Sequence, residues 1–208
     1  MRIVRVIIAG ALTAAAAPYV GVAAAQDELA AIRALMTDAP RVCRAFAQEK
    51  KMRALSRPLV SSGTITFVAG KGIVWRVTRP IAITSVLAIT DERIVTLNND
   101  GTAKVTAIDQ LPLARVMAQV FLSAFSGDMA GLRESFDIDP SVAGETWHMI
   151  LTPRDRNIAA AIAKIEVSGG RFVEELAISE NGGDRTRLSF TGMSTDPCEL
   201  SDAEMRHL

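Results

Sequence analysis

Histidine, cysteine and tyrosine are scarce: the 208 residues include two His, two Cys and one Tyr, and aromatics make up only 5% of the chain. The few candidate metal ligands, Cys43, Cys198, His148 and His207, are far apart in sequence. They show none of the close ligand spacing that a zinc site requires, so no metal is expected. Charge of one sign is also lacking, with 23 Lys and Arg against 23 Asp and Glu. Nothing in the bulk charge draws the chain to nucleic acid or to an anionic surface. The basic pairs Lys50-Lys51 and Arg154/Arg156 are too short to line a groove, which removes nucleic acid from the expected partners.

Catalytic signatures are missing as well. There is no G-x-S-x-G elbow, phosphate-cradling loop, dinucleotide fingerprint or calcium loop. His207 lies one residue from the end, which leaves His148 as the one candidate base, inside an apparent strand between Trp147 and Met149. Glu174 and Glu175 are adjacent and on a strand point to opposite faces, so they cannot act together as acid and base. Neither an enzyme nor a cofactor is expected.

What is present begins with an export signal. Arg2 and Arg5 precede an apolar run from Val6 to Ala17, and Ala23-Ala24-Ala25 offers a small-residue cleavage site before Gln26. The run is short of the roughly 20 residues that span a bilayer, and Pro18 interrupts it. Residues 1–25 therefore read as a signal peptide and residues 26–208 as a single domain in the periplasm, expected to be monomeric. Export makes a bridge between Cys43 and Cys198 the expectation, with two small buried thiols as the alternative.

Periodicity divides the mature chain. Leu29, Ile32 and Met36 recur at helical spacing and Pro40 ends the run. Runs rich in Val, Ile, Thr, Phe and Trp at 63–69, 72–78, 81–89, 93–97 and 103–108 read as strands. Gly70-Lys71-Gly72, Arg79-Pro80 and Asn98-Asn99-Asp100-Gly101 separate them, and links that short make neighbours antiparallel. Alternation puts Ile65, Phe67, Ile73, Trp75, Val77, Ile83 and Leu87 on one face, while Val68, Val74 and Val86 fall on the other. A helix follows, with Leu113, Val116, Met117, Val120, Phe121 and Ala124 along one side, Pro112 in its first turn and Gly127 at its exit. Further strands are predicted at 146–152, 162–168, 171–179 and 186–192, with turns at Ser168-Gly169-Gly170 and Asn181-Gly182-Gly183-Asp184. The pattern is that of an α+β domain: a strongly curved antiparallel sheet whose apolar concave face is covered by helices.

Several strings add a resemblance. Phe46-Ala47-Gln48-Glu49-Lys50, Pro58-Leu59-Val60-Ser61-Ser62-Gly63 and Gly72-Ile73-Val74-Trp75 resemble the opening of the LolA outer-membrane lipoprotein carriers. Met149-Ile150-Leu151-Thr152-Pro153-Arg154 is similar to their Leu-Thr-Pro-Lys turn, and 164–167, 171–178 and 180–188 are similar to their last hairpins. The resemblance implies an unclosed β-barrel with a helical lid over a hydrophobic cavity, in a carrier that escorts acyl chains of a lipoprotein or other lipidated product between membranes. An inner-membrane donor and an outer-membrane acceptor are the implied protein partners. Phe67, Trp75, Met117, Phe121, Trp147 and Met149 are the candidate lining residues. A different class of function, an accessory domain that holds a partner protein in an envelope complex, fits the same composition.

Overall fold

Strands alternating at period two must hide one face, and most of this chain is built to do so. The structure, a computed structural model, describes residues 20–89, 91–98, 102–126, 129–193 and 199–208. Six strands come first: β1 (Arg41–Lys51), β2 (Leu59–Val68), β3 (Gly72–Arg79), β4 (Ile83–Ala88), β5 (Arg93–Leu97) and β6 (Ala103–Ala107). Five follow after an intervening helical stretch: β7 (Phe136–Ala143), β8 (Thr146–Pro153), β9 (Ile162–Gly169), β10 (Val173–Glu180) and β11 (Arg185–Met193). They form one 11-stranded sheet in the order β6-β5-β4-β3-β2-β1-β11-β10-β9-β8-β7. All neighbours are antiparallel. The closing pair is β1 with β11, which joins the two meanders into one curved surface, while β6 and β7 stay apart as its two edges.

Three strands depart from the runs that periodicity predicts, and the first is β1, which none of those runs covers. β2 starts at Leu59 and not at Gly63. Gly63 is instead the point where the β2–β3 register shifts, and a Cβ there would stand 1.8 Å from the Arg76 carbonyl oxygen. Only glycine allows that approach, and such a bulge bends the sheet. β7 was not predicted, because Pro140 and two aspartates break up the run. Phe136, Ile138, Pro140 and Val142 nevertheless face inward at every second place, and an edge strand tolerates a residue with no N–H to give.

Two longer helices lie on the concave side. α1 (Val20–Leu35) buries Leu29, Ile32 and, just past its end, Met36, as their spacing requires. It begins upstream of the predicted cleavage point; residues 1–19, which carry most of the predicted signal peptide, lie outside the described residues. α2 (Pro112–Ser126) follows a short 3-10 turn at Ile108–Gln110. Single turns of helix complete the chain: α3 (Ala130–Ser135), α4 (Arg156–Ala161) and α5 (Asp202–Arg206). Asp155 caps α4 by accepting from the backbone N–H groups of Asn157 and Ile158.

The convex side carries something the sequence expectation did not contain. Val68, Val74, Val86 and Val95 form a second apolar cluster with Leu200, against which Leu97 and Leu208 pack. The C-terminal segment is thus clipped over the outward valines, and a bidentate pair fixes it: Arg76 donates from Nε to Glu204 Oε1 and from Nη2 to Oε2. Arg76 Nη2 also donates to the Glu199 carbonyl oxygen at 2.9 Å. Burial pushes the Glu204 carboxyl upward, but the bonds from Arg76 and Ser201 outweigh it and hold its pKa below the ordinary carboxylate range. A carboxylate depressed in the folded state stabilises above its unfolded pKa of about 4.3 and loses that contribution as pH falls through the lower folded value. Glu204→Gln should therefore cost about 2 kcal/mol in urea unfolding at neutral pH, with the difference from wild type shrinking as pH drops below about 4.

Candidate functional site

α2 turns its apolar side to the sheet. Val116, Val120, Phe121, Ala124 and Phe125 are buried in the main core, and Met117 packs against it; the side chain of Leu113 lies outside what is described. Beneath the helix the rings interlock. Trp75 on β3 lies 4.4 Å from Phe46 on β1 and 5.4 Å from Phe121, centroid to centroid. Phe67 on β2 stacks on Phe125 at 5.8 Å. Phe190 on β11 meets Phe121 and Phe125 edge-on at 6.3 and 5.9 Å. Such tilted and edge-on pairs add about 0.5–1.5 kcal/mol each beyond burial. The space between α2 and the curved sheet is therefore occupied by the protein's own rings.

The hydrogen bonding of α2 tells a different story. Among the described residues its side-chain bond to another element runs from Gln119 Nε2 to the Gly131 carbonyl oxygen on α3, at 2.6 Å, and none runs to a strand. Among the described residues, what ties the helix to the sheet is apolar contact. Along its other flank an open groove of about 730 Å³ separates α2 from the β4–β5 end and from α4, with Leu87, Ile108, Val116, Leu122 and Ile158 on its walls and Arg115 and Glu134 at its rim. Four of those apolar residues also touch the main core, so the groove and the space under α2 share one wall.

The six predicted lining residues thus divide. Phe67, Trp75, Met117 and Phe121 come together under α2. Trp147 and Met149 are on β8, in the half of the sheet where α1 lies against β7. Trp147 is 2% exposed and its indole N–H donates to the Gly170 carbonyl oxygen at 2.7 Å, a structural tie. Ile83, predicted to share the apolar face, is 45% exposed. Phe46, Phe125 and Phe190 belong to the ring cluster and were not among the candidates. Phe125 could have been found, since it stands four residues after Phe121 on the same helix.

Among the described residues, no group of His, Cys, Asp and Glu is arranged to hold a metal ion. His148 sits on β8 opposite Ser141 of β7 and Ser168 of β9. Cys43 is buried on β1, and the Thr66 hydroxyl lies 3.6 Å from its sulfur. Cys198, its expected partner, lies outside the described residues.

The model of the LolA-like outer membrane lipoprotein carrier proteins matches residues 21–207. The chain belongs to this family. Solved structures are matched at low identity. A DUF1329 family protein from Desulfovibrio piger is 11% identical, with 89% of this chain and 97% of that one covered and a TM-score of 0.51. A LolA superfamily protein from Nitrosomonas europaea is 9% identical, with 86% and 96% covered and a TM-score of 0.45. The MucA/MucB complex of Pseudomonas aeruginosa is matched at 18% identity over 87% of this chain and 62% of that one, with a TM-score of 0.37. No curated protein matches the chain.

Proposed function

We propose that this LolA-like protein is an exported, non-enzymatic carrier that shelters an acyl chain between α2 and the concave sheet while moving it between membranes. One observation carries the reading: a helix with a ring-bearing face covers the apolar side of the sheet, and the two meet through rings and aliphatic side chains. Lifting it uncovers surfaces that are apolar on both sides. Exposing them to water is unfavourable at about 25 cal/mol per Å², so the lid stays down when empty. An acyl chain that replaces the lid's own contacts removes that penalty, and each of its methylenes gains about 0.8 kcal/mol on leaving water. The groove beside α2 supplies the approach, because its apolar walls run into the same core.

A second reading has its own support. Leu59, Val60 and Ile81 are 52%, 61% and 69% exposed at the end of the sheet where β2 begins and β3 turns into β4. Exposed apolar side chains of this kind suit a partner protein, and an accessory domain would use them without lifting α2. Native mass spectrometry of the mature protein separates the two. A carrier should retain lipid adducts under gentle ionisation and bind a fluorescent acyl probe saturably. Adduct-free spectra together with unsaturable probe binding would favour the accessory domain.

A further inference from the structure

One inward position on β1 breaks the apolar pattern. Val42, Arg44 and Phe46 share the inner face, and Arg44 is only 7% exposed. A guanidinium carries five N–H donors and stays charged, so a site that buries it has to answer those donors. Here the answer is thin. Nη2 donates to the Phe190 carbonyl oxygen at 2.8 Å, Nε is buried with no partner, and the guanidinium carbon stands 5.7 Å from the centre of the Phe172 ring. Burial lowers the pKa of the group and the field of Glu174 opposes it, yet Glu174 makes no ion pair with it. A buried cation without an anion is costly. A bulge at Arg44–Ala45 in the β1–β11 pairing accounts for the one bonded carbonyl and for none of the remaining donors.

The position of this cation relates it to the lid. Phe190, whose carbonyl it holds, places its ring against Phe121 and Phe125 of α2. Phe46, two residues along the same face, contacts Trp75. An anion seated on Arg44 would therefore have its attached chain led directly along the rings under α2.

We propose that Arg44 is an internal anchor for an acidic head group, a carboxylate or a phosphate, so that the cargo is an anionic amphiphile held head-inward with its tail along Phe46, Trp75 and Phe121. This rests on the carrier reading and narrows it, since a neutral acyl ester or amide could accept a hydrogen bond but would leave the charge of the guanidinium uncompensated. Charge-assisted bonds from a planar guanidinium fit both head groups.

The test displaces a neutral phenylnaphthylamine probe from the mature protein with hexadecanol, palmitate and hexadecyl phosphate, which share one tail. At least one of the two anions should bind about ten-fold or more tightly than the alcohol, and whichever binds better identifies the head group. Arg44→Met should erase that preference while leaving hexadecanol affinity within about two-fold, and Arg44→Lys should restore part of it. Equal affinity of wild type for the alcohol and both anions overturns the anchor while the carrier stands. Binding of none of the three overturns both. Should Arg44→Met fail to fold, Arg44→Gln takes its place, and an anion preference that it leaves unchanged overturns the anchor.

Discussion

Phe121→Asp should abolish saturable binding of an acyl probe while leaving the strand content of the protein intact. The residue sits on α2 with its ring against Trp75, Phe125 and Phe190. Truncating a buried Phe costs about 3–5 kcal/mol, and a carboxylate in its place cannot be buried unpaired. Because the described contacts between α2 and the sheet are apolar, the damage should fall on lid docking and spare the strand ladder. An acyl chain on the uncovered sheet would lose the burial of several methylenes, each about 0.8 kcal/mol, so affinity should drop about 100-fold or more. Circular dichroism with probe titration checks both halves: the far-ultraviolet strand signal persists and the saturable phase disappears. Loss of the strand signal would instead make α2 part of the structural core.

The second large effect concerns the cysteines. We propose that Cys43 and Cys198 are bridged. Cys43 alternates with the inward Val42 and Arg44, which places it on the outer face beside Thr66. That face is where the C-terminal segment docks, with Leu200 among the valines, and Cys198 is two residues earlier in the chain. A bond closing a loop of about 155 residues would restrict the unfolded chain by roughly 4–5 kcal/mol on the chain-entropy model. Cys198→Ser should therefore lower the urea midpoint sharply, and reductant should lower wild type to the same value. Equal midpoints for oxidised, reduced and substituted protein would show that no such bridge forms.

Much of the fold was legible from residues with strict periods. Val116, Val120 and Phe121 announced α2 because their spacing is helical and their alternative exposure is costly. The hairpins of β3, β4, β10 and β11 were legible because glycine or proline turns bound short alternating runs. β7 was hidden because Pro140 and two aspartates imitate a loop, and only its place at a sheet edge makes it a strand. The convex cluster was harder still: Val68, Val74 and Val86 showed that the outer face was not wholly wet, but Leu200 and Leu208 lie over 100 residues away in sequence and have no period to read. At the site, the rings of β3 and α2 were foreseeable from alternation and helical spacing. Arg44 was not, because a single arginine in a strand ordinarily points to water, and only the position of β1 in the middle of the sheet turns it inward.

Hydrogen exchange of the 112–126 segment, compared with β8 and β9 in the same mature protein, tests the idea of a separable lid most directly. The amides of α2 should exchange through a local opening, clearly faster than those of β8 and β9, and should slow when palmitate or hexadecyl phosphate is bound. Exchange of α2 and β8 at one common rate, unchanged by either ligand, would mean that helix and sheet open only together and that nothing is carried between them.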